Sequence, residues 1–129
     1  MKFIKNLKKE NKKMYNENNI FAKIIRKEIP CDKVYEDEFS LFFHDINPQA
    51  KIHVLGIPKF PCITYSDFLM NGDNQNILSF FKSIEIVLNK LKIQESGYRL
   101  ITNAGEDGGQ EVPHFHIHIL AGEKIGSLR

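Results

Sequence analysis

The clearest alternation of polar and apolar residues in the chain runs over residues 114–120. Three histidines alternate there with three large apolar residues: His114, Phe115, His116, Ile117, His118 and Ile119. This period of two is typical of a β-strand, in which every second side chain points to the same face of the sheet. We therefore predict a strand with three imidazoles on one face and three buried apolar side chains on the other.

Weaker patterns elsewhere predict four more strands and two helices. Apolar residues between turn residues predict strands at 34–35, 40–44, 52–58 and 98–103. One apolar stripe predicts a helix that begins after Asn18 or Asn19, runs to Lys27 and is stopped by Pro30. A second stripe predicts a long helix over 76–92, and residues 60–74 are expected to be irregular. Short turns between the strands favour an α+β domain with a five-stranded antiparallel sheet and two helices.

Composition and charge narrow the class of protein. A chain of 129 residues with 42% hydrophobic residues is expected to form one domain. Six lysines and two glutamates in residues 1–17 give that segment a net charge of +4 and leave −2 for the remainder. We predict a flexible extension at 1–18 and a domain at 19–129, with neither nucleic acid nor a membrane as a partner. Two cysteines without paired spacing favour a reducing compartment, and we expect a cytoplasmic protein, with the nucleus as an alternative location.

The histidine face and the loop before it suggest phosphate chemistry. The loop Asp107-Gly108-Gly109-Gln110 would let backbone N–H groups approach an anion in front of a nucleophilic imidazole. A zinc site is an alternative, with His44, His53 or Glu111 as a further ligand, although zinc has no need of the glycine loop. A polar strand face that only packs against other residues is the simplest alternative.

Asp45, at the end of the 40–44 strand, also allows two interpretations. Its carboxylate could accept hydrogen bonds from both hydroxyls of a ribose. It could equally form an Asx turn before Pro48.

The alternating histidines resemble the signature of the histidine triad superfamily. Other segments are similar to its nucleotide-binding, protein kinase C inhibitor-like branch: residues 20–30, residues 43–50 with His53, residues 57–59, residues 97–100 with Asn103, and residues 107–110. The similarity covers about 19–122. It implies a homodimer in which two sheets join into one.

This resemblance also implies an activity, the hydrolysis of purine nucleoside phosphoramidates, in which AMP or GMP is joined to an amine or aminoacyl group. His116 would attack phosphorus, and His118 would donate to a non-bridging phosphate oxygen or to the leaving group. The carbonyl of His114 would hold the tautomer of His116, with His53 in support. The expected nucleotide-binding residues are Phe21, Ile24, Phe43, His44, Asp45, Ile46, Leu55, Asn103, Gly109, Gln110, Glu111, His116 and His118. No cofactor is required by this scheme, and a bound zinc ion is the less favoured possibility.

Two positions depart from the animal members of the branch. Glu111 replaces a serine, as in bacterial members, and could favour a cationic amine as leaving group. Pro113 replaces a common tyrosine, which puts in doubt any contact made by that tyrosine. A dinucleoside polyphosphate hydrolase and a nucleotide- or zinc-binding protein with vestigial catalysis are the alternative functions.

Overall fold

A computed structural model of the protein describes residues 14–128. Its sheet has five strands, β1 (Lys33–Glu36), β2 (Ser40–His44), β3 (Ile52–Pro58), β4 (Arg99–Ile101) and β5 (Ile117–Ala121), in the order β1-β2-β3-β5-β4 with every neighbouring pair antiparallel. The helices of the described part are α1 (Ile20–Ile25), α2 (Tyr65–Asn71) and α3 (Asn74–Leu91). The predicted α+β class and the five-stranded antiparallel sheet are confirmed, with three helices rather than two.

One face of the sheet forms the main hydrophobic core. Phe42, Val54 and Ile119 are fully buried there against Phe68 of α2 and Phe80 of α3. Phe115 and Ile117, two of the alternating apolar residues, lie in the same core. Burial of each such side chain stabilises the fold by about 1.5–3 kcal/mol, so the apolar half of the predicted alternation is what anchors the histidine segment.

The opposite face carries a second apolar cluster under α1. Phe21 and Ile24 of α1 pack there onto Leu41, Phe43, Leu55 and Ile57. Phe43 pairs with Leu55, and Leu55 pairs with His118, so the three side chains form a row across β2, β3 and β5. The strand register therefore places an imidazole beside an apolar cluster rather than in bulk solvent.

Several predicted boundaries need correction. β5 begins only at Ile117, so His114 and His116 precede the regular strand. Helix α1 ends at Ile25, before Pro30, because Lys27 adopts a left-handed backbone with φ of 65°. Helix α2 lies in the segment expected to be irregular. It begins at Tyr65, after the capping residue Thr64, whose side chain accepts a hydrogen bond from the backbone N–H of Asp67.

Residues before the predicted domain boundary also contact the fold. Arg26 donates to the backbone carbonyl of Glu17 at 2.9 Å, and the Asn19 side chain caps α1 by accepting from Ala22 N–H at 2.9 Å. Residues 1–13 of the predicted extension lie outside the described residues. No helix between residues 14 and 128 is both long and apolar enough to cross a membrane.

Candidate active site

A cavity of about 610 Å³ opens between α1, the end of β2, strand β3 and the histidine segment. Ligand sites in proteins usually have volumes of about 300–1,000 Å³, so a nucleotide-sized ligand fits. The predicted site residues that line it are Phe21, Ile24, Phe43, His44, Asp45, Ile46, His53, Leu55, Asn103, Gly109, Glu111, His116 and His118. The lining residues that we did not predict are Ile20, Ile29, Pro30, Cys31, Asp32, Asn47, Gln49 and Val112.

His116 is buried, and its tautomer is fixed by the backbone. Its Nδ1 lies 2.7 Å from the carbonyl oxygen of His114. Because a carbonyl only accepts, Nδ1 carries the proton of the neutral ring and Nε2 keeps its lone pair. Thr102, which we did not predict, donates its hydroxyl to the carbonyl of His116 at 2.8 Å and holds this backbone in place. Burial lowers the pKa of His116, which favours a neutral imidazole at pH 7.

His118 has the opposite tautomer, because a different backbone group controls it. The backbone N–H of Gln49 donates to Nδ1 of His53 at 3.0 Å, so the proton of neutral His53 is on Nε2. His53 Nε2 lies 2.9 Å from Nδ1 of His118 and donates to it, which leaves the proton of His118 on Nε2. Burial, followed by the neighbours His116 and His53, lowers the pKa of His118 to about 4. A cavity-lining imidazole with a lone pair on Nε2 thus stands beside a cavity-lining imidazole with a proton on Nε2, with ring centroids 5.1 Å apart.

His53 and Asp45 are in contact but do not form an ion pair at neutral pH. His53 Nε2 lies 3.4 Å from Oδ2 of Asp45. Burial lowers the pKa of His53 more than the Asp45 charge raises it, so the ring is neutral at pH 7. The other carboxylate oxygen of Asp45 accepts from Asn47 N–H at 2.8 Å, which is the predicted Asx turn. Asp45 also lines the cavity, so the turn and a ribose contact are compatible.

The structure brings two of the three histidines to the cavity: His114 does not line it, although its ring contacts Phe21 as that of His116 does. The His114 ring is fully buried, with Nε2 2.8 Å from the carbonyl of Pro58 and Nδ1 2.6 Å from the hydroxyl of Tyr15. Burial lowers its pKa to about 4. His114 and His116 lie before β5, so the regular strand predicted for all three histidines includes only His118.

The prediction for the glycine loop also needs correction. Gly109 N–H donates to the Glu106 carbonyl at 3.0 Å, and Gln110 N–H donates to the Gly105 carbonyl at 3.1 Å. The Gln110 side chain donates to the carbonyls of Ile63 and Val112, at 2.6 and 3.0 Å, instead of lining the cavity. Gln110 therefore braces the loop and does not reach the cavity.

One group of side chains in the described part of the chain could hold a metal ion. The ligand atoms of Asp45, His53 and His118 all lie within 4.8 Å of one another. His44 and Glu111, which we considered as zinc ligands, are not in this group, whereas His53 is. Carboxylate and imidazole ligands suit zinc. Two of these groups, His53 and His118, are already joined by the hydrogen bond between His53 Nε2 and His118 Nδ1.

Comparisons with known proteins identify the family of the chain. A family model described as the HIT domain matches residues 26–125. The purine nucleoside phosphoramidase of Escherichia coli (strain K12) is 41% identical over 113 residues, which cover 87% of this chain and 93% of that protein. A solved histidine triad protein from Clostridium difficile is 38% identical with a TM-score of 0.80, covering 90% of this chain and 100% of that one. A HIT family hydrolase from Legionella pneumophila Philadelphia 1 is 38% identical with a TM-score of 0.78, covering 84% of this chain and 96% of that one. The chain belongs to the HIT family.

Proposed function

We propose that this protein is a hydrolase that cleaves purine nucleoside phosphoramidates through a covalent nucleotidyl-histidine. The observation that carries the proposal is the 2.7 Å contact between His116 Nδ1 and the carbonyl of His114, because it leaves a lone pair on Nε2 of a cavity-lining imidazole. The phosphoramidase name of the relative from Escherichia coli supports the same reaction.

The two imidazoles divide the chemistry between them. His116 Nε2 attacks the α-phosphorus, so an N–P bond forms while the P–N bond to the amine breaks. The amine nitrogen takes a proton from solvent, so the amine leaves neutral, and the Nε2–H of neutral His118 donates a hydrogen bond to a non-bridging phosphate oxygen. Water then attacks the same phosphorus, the bond to His116 breaks, and the water proton is released to solvent. Each histidine ends in its starting state, and the step needs no metal.

The shape and charge of the cavity support a nucleotide substrate. Phe21, Ile24 and Phe43 provide an apolar slot for a purine base, and Asp45 provides acceptors for ribose hydroxyls. Glu111 is exposed at the cavity and would pair with a cationic leaving group, such as the amine of lysine. The proposed ligands are AMP and GMP as their amine or aminoacyl conjugates. We further propose a cytoplasmic homodimer.

The test is steady-state turnover of an adenosine phosphoramidate by wild type and by His116→Ala, each with and without a chelator. We expect wild-type turnover to persist with the chelator and the variant to lose about 10³-fold or more in kcat. AMP binding and the melting temperature of both proteins serve as controls for folding. Wild type that binds AMP without turnover would refute hydrolysis, and activity lost to the chelator and restored by zinc would refute the metal-free scheme.

Cleavage of dinucleoside polyphosphates is the nearest alternative, because the same nucleophile would form the same intermediate. Comparing kcat/KM for diadenosine polyphosphates with that for the phosphoramidate separates the two activities. We expect the phosphoramidate to be the better substrate.

A further inference from the structure

A tyrosine from outside the predicted domain reaches the interior of the site. The hydroxyl of Tyr15 lies 2.6 Å from Nδ1 of His114, although 99 residues separate them in the chain. The two rings also meet edge to face, with centroids 5.6 Å apart. Tyr15 is half-buried, and it does not line the cavity.

The direction of this hydrogen bond follows from the other side of the imidazole. His114 Nε2 lies 2.8 Å from the carbonyl of Pro58, so Nε2 carries the proton of the neutral ring. Nδ1 is then an acceptor, and the Tyr15 hydroxyl donates to it. A fully buried ring therefore has both nitrogens satisfied, one by a backbone carbonyl and one by Tyr15.

The segment that carries Tyr15 is held against the domain by other contacts. The side chain of Asn19 donates to the carbonyl of Asn16 at 2.7 Å, and Arg26 donates to the carbonyl of Glu17 at 2.9 Å. Asn19 also caps helix α1, so the turn before the helix and the helix itself share one anchor. The hydroxyl is thus presented to His114 by a segment with defined hydrogen bonds.

His114 acts on the reaction through its own backbone. The carbonyl of His114 accepts the Nδ1 proton of His116, and Phe21 contacts both rings, with centroid distances of 6.4 Å to His114 and 4.9 Å to His116. Because hydrogen bonds hold the His114 ring at both nitrogens, the His114 carbonyl stays in position to accept from Nδ1 of His116. We propose that Tyr15 is a positioning residue for the hydrolase, and that its hydroxyl orients the nucleophile His116 through His114.

This inference rests on the proposed function, and its experiment separates the two. Tyr15→Phe removes only the hydroxyl. Tyr35→Phe is the matched control, because the hydroxyl of Tyr35, in β1, also donates a side-chain hydrogen bond, to Asp37 at 2.9 Å. Tyr35 does not line the cavity. We expect kcat of Tyr15→Phe to fall on the order of tenfold, because a buried acceptor loses its donor. KM and AMP affinity should stay near the wild-type values, and Tyr35→Phe should keep wild-type kcat.

A ¹⁵N spectrum of the histidine side chains provides a readout independent of turnover. In wild type we expect the Nε2–H tautomer for His114 and the Nδ1–H tautomer for His116, and in Tyr15→Phe a mixture of tautomers for His116. Wild type without turnover would overturn the proposed function while the spectra still test the role of Tyr15. Unchanged kcat with an unchanged His116 tautomer in Tyr15→Phe would overturn the inference, as would an Nδ1–H tautomer for His114 in wild type.

Discussion

The buried imidazole of His114 should make the stability of the protein depend on pH in a range where carboxylates contribute little. Its pKa in the folded chain is about 4, against an ordinary value of 6.5, because burial disfavours the charged ring. Between these values the unfolded chain binds a proton that the folded chain does not, so the free energy of unfolding falls as pH falls from about 6.5 towards 4. Protonation of His114 alone should lower the free energy of unfolding by about 2 kcal/mol between pH 7 and pH 5.

Urea unfolding at pH 7 and pH 5, without a nucleotide, measures this loss. Burial also lowers the pKa of His116 and His53, so the total for wild type should be at least that of His114 alone. His114→Gln keeps a neutral polar side chain that cannot titrate, and its loss between the two pH values should be smaller than that of wild type by about 2 kcal/mol. Equal losses in the two proteins would refute the assignment of a buried, neutral His114.

Four further outcomes are expected. Glu111→Gln should lower the kcat/KM preference for a lysine over an alanine leaving group by roughly twofold to fivefold, because an exposed charge pair contributes little; an unchanged ratio would exclude the pairing. Gly56→Ala should cost about 1–3 kcal/mol and lower the Tm, because its Cβ would lie 2.3 Å from the Phe42 ring; a wild-type Tm would contradict this. The acid limb of kcat/KM should lie below pH 6.5, because burial lowers the pKa of His116, the proposed nucleophile; a limb above pH 6.5 would argue for a different nucleophile. Asp45→Asn should raise KM for the ribonucleotide roughly tenfold and leave KM for the 2′,3′-dideoxy substrate nearly unaffected; equal effects would remove ribose recognition from Asp45.

The sequence predicted those features that depend on local periodicity. The alternation at 114–120 was sufficient to bury Phe115, Ile117 and Ile119 and to bring His116 and His118 to the cavity. It did not reveal that His114 would be fully buried and would not line the cavity, because the hydrogen-bond partners of its ring, Pro58 and Tyr15, are distant in the sequence. Helix α2 was missed because it has only seven residues, too few for a clear stripe between Pro61 and Gly72.

Contacts between distant segments had no local signal in the sequence. Tyr15 stands in a segment rich in lysine and asparagine, where nothing indicates that its hydroxyl meets a residue 99 positions away. Gln49 donates to His53 through its backbone N–H and not through its side chain. The residue type at position 49 therefore could not predict this hydrogen bond. Gln110 was expected to bind the nucleotide, but hydrogen bonds with Gly105, Val112 and the distant Ile63 engage its side chain.

The different roles of His116 and His118 follow from their Nδ1 partners and not from their spacing. At His116, Nδ1 donates to a carbonyl, so Nε2 is left with a lone pair and can attack phosphorus. At His118, Nδ1 accepts from His53, so Nε2 keeps its proton and can donate a hydrogen bond. Two chemically identical side chains on one cavity wall thus differ at Nε2, where His116 has a lone pair and His118 has a proton, because the backbone supplies an acceptor to one ring and, through His53 and Gln49, a donor to the other. A variant such as His53→Phe removes the donor to His118, so a ¹⁵N spectrum should show a mixture of His118 tautomers while His116 keeps its Nδ1–H tautomer. We also expect kcat to fall for good and poor leaving groups alike, because His118 loses part of its Nε2 proton; a His118 that keeps the Nε2–H tautomer in the variant would show that His53 does not control it.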